Sequence, residues 1–314
     1  MSENPIKITI IGGFLGSGKT TILNNIIRDL PEGQRTAILI NDFGDVNIDA
    51  LLIEKGDYSK KEIKGGCICC SLKEKLLQNL LTIVNDEKPD HIYIEATGLA
   101  VPWEMKKSIS TNFSADKLLV DEVLVCTDAI QFKRFHDYLP AYSRQFEGKP
   151  YVLITKADIH ASDLLKEIRE KLQRHYPGIS GFSESRNGTW TRPEAQDKRE
   201  EDLPRGMMPF LLQAKMIDTG KDGIEQLSFQ GALKENSEVL KSLISENSEK
   251  IIRLKALIPQ ESSWKSIQFD GEILSEDSIY PEDSGLLKET ILTLFCMKEH
   301  RAYLKKVFTQ IIGN

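Results

Sequence analysis

The segment Gly13-Phe14-Leu15-Gly16-Ser17-Gly18-Lys19-Thr20 constrains this chain more than any other. It satisfies G-x-x-x-x-G-K-[ST] at every fixed position, a pattern suited to the phosphates of a nucleoside triphosphate. The flanks agree with it. Ile6-Lys7-Ile8-Thr9-Ile10-Ile11 is a β-branched run ending in Gly12-Gly13, as a buried strand entering a tight turn does. Beyond Thr20, the residues Ile22, Leu23, Ile26, Ile27 and Leu30 recur at the spacing of one helix face. Glycines let backbone N–H groups and a helix N-terminus close on phosphate. Lys19 would then neutralise the β/γ-phosphates, and the Thr20 hydroxyl would coordinate Mg²⁺. The expected phosphate contacts are Gly13, Gly16, Ser17, Gly18, Lys19, Thr20 and Thr21. An ordinary glycine-rich turn would not require strand and helix in this order.

Three further segments sit where a ligand site on such a sheet would lie. Thr36-Ala37-Ile38-Leu39-Ile40 reads as a strand that runs into Asn41-Asp42-Phe43-Gly44-Asp45. His91-Ile92-Tyr93-Ile94-Glu95 is an apolar strand ending in a carboxylate that can reach Mg²⁺ or position the attacking water. A solvated strand-end carboxylate is the alternative for Glu95. Gly98, three residues on, is placed for its N–H to sense the γ-phosphate. Tyr151-Val152-Leu153-Ile154 leads into Thr155-Lys156-Ala157-Asp158. A carboxylate at the last of these positions accepts two hydrogen bonds from guanine that adenine cannot supply. The Lys156 stem would lie over the base. GTP is therefore the expected nucleotide, with Lys19 and Glu95 as the catalytic pair and Thr20 and Glu95 serving Mg²⁺.

At 314 residues the chain is long enough for two domains. The expected division is a P-loop domain over 1–180, a charged linker over 181–205 and a smaller α+β domain over 206–314. The fold class is α/β: a mostly parallel P-loop sheet followed by strands with two helices. Ser237 is read as the cap of the first of those helices. A net charge of −6 gives no support for nucleic-acid binding. No apolar run reaches the roughly 18 residues of a membrane span, and the start of the chain shows no signal peptide. The expected location is the cytoplasm.

Cysteine usage sharpens the chemistry. Three of the five cysteines, Cys67, Cys69 and Cys70, fall within four residues after Gly65-Gly66. Such clustering is unlike a disulfide framework. Thiolates suit Zn²⁺, or less exclusively Co²⁺, and a tetrahedral ion needs a further ligand, for which Asp42, Asp45 and His91 are candidates. A redox pair through Cys67 and Cys70, or structural cysteines, are the alternatives. Cys126 and Cys296 sit in apolar runs and read as core residues.

Together, Gly12 to Thr21, Asn41-Asp42-Phe43-Gly44-Asp45, Gly66-Cys67-Ile68-Cys69-Cys70 and Ile94-Glu95-Ala96-Thr97-Gly98-Leu99-Ala100-Val101-Pro102 resemble the CobW-type P-loop GTPases. The resemblance covers roughly residues 6–180 and, more loosely, Arg253-Leu254-Lys255-Ala256 and the strand at Trp264. It implies a GTPase that binds a transition metal, Zn²⁺ or Co²⁺, through Cys67, Cys69, Cys70 and Asp42, and delivers it to a client metalloprotein. Asp42 and Asp45 stand where the family has Glu, and Thr155 where it has Asn. Another reading is a GTPase that activates a metalloenzyme or corrinoid protein without carrying metal. An ATP-dependent chaperone of similar fold is a third. A homodimer is left open.

Overall fold

β1, Ile6–Gly13, runs through the interior of a seven-stranded sheet in which every registered pair is parallel. The structure is a computed structural model and describes residues 4–31, 33–41, 59–63, 71–191, 223–261, 263–279 and 289–312, with only the backbone at 41, 59–63 and 71–75. β2 (Thr36–Asn41), β3 (Ser59–Ile63), β4 (His91–Glu95), β5 (Leu118–Asp128), β6 (Tyr151–Thr155) and β7 (Gly181–Glu184) complete the sheet in the order β3-β2-β4-β1-β5-β6-β7. The expected P-loop class is what the chain adopts.

Both faces of this sheet are covered, which is why interior strands such as β1 and β6 are largely apolar, while the edge strands β3 and β7 are polar. Ile8 and Ile10 of β1 enter one core, together with Leu80 of α2 (Ser71–Thr82), Ile109 of α3 (Pro102–Asn112), Phe132 of α4 (Ala129–Phe135) and Tyr142 of α5 (Pro140–Ser143). Leu165, Ile168 and Leu172 of α6 (Ser162–His175) join the same core. Ile11 faces the other side, against Ile22, Leu23 and Ile27 of α1 (Lys19–Arg28). Cys126 packs there as well, and burial pushes its thiol pKa up to about 12, so it behaves as the expected core residue.

Part of the expected linker is sheet instead. β7 extends the first layer to Glu184, and Trp190 packs on Tyr151 with ring centroids 5.9 Å apart. Polar composition hid this strand: only Ser183 of its four residues is buried, as befits a short edge strand.

The C-terminal layer is a five-stranded antiparallel sheet ordered β11-β10-β9-β12-β8. Its strands are β8 (Ile224–Gly231), β9 (Ile251–Pro259), β10 (Trp264–Phe269), β11 (Leu274–Ile279) and β12 (Thr290–Met297). Helices α7 (Ser237–Glu246) and α8 (Arg301–Ile311) cover one face through Leu240, Ile244, Leu304 and Phe308. The cap of α7 is Asn236, whose Oδ1 accepts from the Val239 N–H at 3.0 Å, rather than Ser237. Asn and Ser are equally good caps, so propensity could not choose between neighbours. The two layers touch: Ile224, Ile252 and Phe295 belong to the core of the first. No helix among the described residues is long and apolar enough to cross a membrane.

Candidate nucleotide site

The phosphate loop leaves the carboxyl end of β1 between β4 and β5. Gly16 and Gly18 take φ of +76° and +86°, left-handed values that a side chain would strain. That backbone turns the loop back so that α1 begins at Lys19. Lys19 is buried and its Nζ donates to Phe14 O at 3.0 Å, arching over the loop. The Thr20 hydroxyl donates to Glu95 Oε1 at 2.8 Å. Two oxygens expected to serve one Mg²⁺ thus come together from motifs 75 residues apart.

The loop is braced from behind by residues that no motif flagged. Buried Gln145 accepts from the Gly13 N–H at 3.2 Å through Oε1 and donates from Nε2 to Ala100 O at 2.9 Å. Gln131 Nε2 donates to Leu15 O at 2.8 Å. A lone Gln on a helix carries no local signal, so sequence reading had nothing to find it by. Ser17 is buried, and its carbonyl accepts from the Thr155 hydroxyl at 2.9 Å. That contact ties the base-side motif to the phosphate loop, and the same hydroxyl proton is shared with Thr127 O of β5 at 3.2 Å. Gly98 lies against the loop as well. A Cβ there would fall 2.6 Å from Leu15 Cδ2 and 2.7 Å from Leu15 N.

Gly16, Gly18, Lys19, Thr20, Thr21 and Lys156 line one cavity of about 290 Å³. Lys156 pairs with the buried Asp128 carboxylate at 3.3 Å and with Asp270. Burial alone would lower its pKa, but the two carboxylates outweigh burial and hold it above the ordinary lysine value. Asp158 is exposed outside that cavity wall, and its Oδ1 accepts from the Asn187 N–H at 3.0 Å.

Asp128, His160 and Glu272 bring their ligand atoms within 4.8 Å of one another. Asp128 is already committed: Oδ1 caps α4 by accepting from Ile130 and Gln131 N–H at 2.9 and 3.0 Å, and Oδ2 faces Lys156 and His160. The ammonium group takes the place a cation would need, so this is an ion-pair network.

His91 lies at the far end of its strand from Glu95. It opens β4 and bonds Thr9 Oγ1 at 2.9 Å. Four residues of strand, roughly 13 Å, separate it from the carboxyl edge. Burial pushes its pKa down to about 4. Asp42, Asp45, Cys67, Cys69 and Cys70 lie outside the described residues. The strands that lead to them are described. β2 ends at Asn41, paired with Ile63 at the end of β3, and Ile40 pairs with Glu95.

Comparison with known proteins decides the family. The model of the CobW/HypB/UreG nucleotide-binding domain matches residues 7–181, more than half of the chain. The chain belongs to the CobW/HypB/UreG family of GTPases. Zinc chaperone YjiA of Escherichia coli (strain K12) is 26% identical over 294 residues, covering 85% of this chain and 86% of that protein. Zinc chaperone CobW of Sinorhizobium sp is 27% identical over 217 residues, covering 60% and 61% of the two chains. Zinc-regulated GTPase metalloprotein activator 1 of Dictyostelium discoideum is 30% identical over 118 residues, covering 33% of this chain and 25% of that one. Gly13–Thr20, Glu95 and Lys156 all lie within the stretch that matches the CobW/HypB/UreG nucleotide-binding domain.

Proposed function

We propose that this chain is a GTP-driven metallochaperone that carries Zn²⁺ on Cys67, Cys69, Cys70 and Asp42 and delivers it to a client metalloprotein. The observation that carries the reading is the sheet register. Ile40 lies beside Glu95 and Asn41 beside Ile63, so the segments holding Asp42 and the cysteines are entered from the carboxyl edge that also holds Thr20 and Glu95. Three thiols and a carboxylate are a donor set that suits tetrahedral Zn²⁺, and the names of the relatives point to the same metal. The hydroxyl of Thr20 and the carboxylate of Glu95 are the hard oxygen donors that fit Mg²⁺.

Bound Mg²⁺-GTP supplies the scissile phosphoryl bond. The chain's own residues do the rest: the loop N–H groups and Lys19 hold the negative charge, and Glu95 holds Thr20 and orients water. Gly98 senses the γ-phosphate, Lys156 and Asp158 read the base, and Thr155 ties that motif to the phosphate loop. The GTPase unit in this reading is the parallel sheet through Glu184, and the antiparallel layer from Ile224 onward is a second unit.

The test is metal content. The wild-type chain should retain about one Zn²⁺ after gel filtration with Mg²⁺ and a non-hydrolysable GTP analogue, and Cys67→Ala/Cys69→Ala/Cys70→Ala should retain none while still hydrolysing GTP. Equal zinc in both proteins would defeat the proposal. A name among the relatives, a zinc-regulated GTPase metalloprotein activator, motivates the second reading, activation without cargo. In that case the triple variant would still activate the client.

A further inference from the structure

The cavity over the phosphate loop has a second wall, and it comes from the C-terminal sheet. Across from Lys19, Thr20 and Thr21 it is lined by Arg253 of β9, Gln268 of β10 and Ser275 of β11. Gln268 and Ser275 are register partners, and Gln268 also pairs with Lys255, two residues along β9 from Arg253. Alternation along each strand therefore sets Arg253, Gln268 and Ser275 on one sheet face. It is the face opposite Leu254 and Ile267, which pack under the two helices.

This wall is fastened to the loop. Gln131 Nε2 donates both to Leu15 O at 2.8 Å and to Asp270 O at 3.0 Å, bridging the phosphate loop to the β10–β11 turn. Arg134 Nη1 donates to Gly271 O at 2.9 Å, and its Nη2 to Glu249 O at 3.0 Å. The Asp270 carboxylate reaches Lys156. At Gly16, a Cβ would fall 2.9 Å from Asp270 O, so the turn sits directly on the loop. Among the described residues, the cavity is lined by the cations Lys19, Lys156 and Arg253 and by the Asp270 carboxylate, and Lys156 is also paired with buried Asp128, so this set stays net positive by one charge. The balance favours an anion.

We propose that the C-terminal sheet completes the nucleotide site, with Arg253 binding the phosphate chain of the guanine nucleotide from the side opposite the P-loop. Gln268 and Ser275 add neutral hydrogen-bonding groups beside it. An Arg reaching across from a second layer provides planar, multiply donating recognition of phosphate oxygens, which a single Lys in the loop does not. The inference rests on the reading of Gly13–Thr20 as the GTP loop, so its test carries a control for that reading.

Binding of mant-GDP and mant-GTP to the full chain with Mg²⁺ would be measured for wild type, Arg253→Ala, Arg253→Gln, Arg253→Lys and Lys19→Ala. Each variant is first checked for a nucleotide-free thermal midpoint like that of wild type. Removing the guanidinium should weaken both nucleotides roughly 10- to 100-fold, the loss of a charged hydrogen-bonded contact. Lysine should restore part of that loss. Arg253→Gln keeps most of the side chain's length and serves if the alanine variant does not fold. Wild-type affinity in folded Arg253→Ala or Arg253→Gln, alongside lost affinity in Lys19→Ala, would overturn the inference alone. Unimpaired binding by Lys19→Ala would overturn the P-loop reading and the inference with it.

Discussion

Glu95 is where charge, hydrogen bonding and the phosphate loop meet. It is buried, and its Oε1 accepts from the Thr20 hydroxyl. Glu95→Gln keeps the shape and removes the charge. Hydrolysis with Mg²⁺ should fall by about 10²-fold or more, the scale of losing one electrostatic contributor, while binding of GDP without Mg²⁺ stays near wild type. Single-turnover hydrolysis and a separate binding titration check the two halves. Thr155 raises a different question, since guanine readers of this type carry Asn at that position. Its hydroxyl is spent on Ser17 O and Thr127 O. Thr155→Val should therefore lower stability by about 1–3 kcal/mol, the cost of stranding buried acceptors, and leave the GTP-over-ATP preference unchanged. Asp158→Ala should erase that preference. Competition binding with both nucleotides would tell these outcomes apart.

Between elements, the contacts of the loop after β4 matter most. Gly98 presses on the Leu15 backbone, so Gly98→Ala should displace that loop, cutting hydrolysis and lowering stability by about 1–3 kcal/mol. A variant hydrolysing at the wild-type rate would contradict the expected close approach. At the other end of β4, His91 bonds Thr9 and stacks on Tyr93, with ring centroids 4.3 Å apart. Its pKa is about 4 in the fold against an ordinary value near 6.5. Between those values the unfolded chain binds a proton that the folded chain refuses, so stability present above pH ~6.5 is lost as pH falls toward ~4. His91→Gln should flatten that decline in urea melts run at pH 6.5 and pH 4.5.

Elements with a strong period were legible in the sequence: β1, α1, β4, β6, α6 and α8 all lie where apolar spacing puts them. α3 was not, because it begins with Pro102-Trp103 and carries a run of polar residues, so its buried positions Met105 and Ile109 stand apart. β11 was hidden for a similar reason, since Leu-Ser-Glu-Asp-Ser-Ile at a sheet edge buries almost nothing.

At the scale of the molecule, the sequence displays motifs of the first layer but not the packing of the second layer onto it. Lys19, Thr20, Glu95 and Lys156 can be named from spacing alone, because phosphate and metal chemistry fix residue types at fixed intervals. Gln131, Gln145, Asp270 and Arg253 cannot, because their roles come from tertiary distance. A GTP-driven metal carrier requires its GTP and Zn²⁺ sites to be coupled, and linkage makes any such effect reciprocal. Zn²⁺ affinity, measured by competition with a chromogenic chelator, should differ about 5- to 150-fold between the chain loaded with Mg²⁺ and a non-hydrolysable GTP analogue and the chain loaded with Mg²⁺-GDP. Equal affinities in the two states would contradict it.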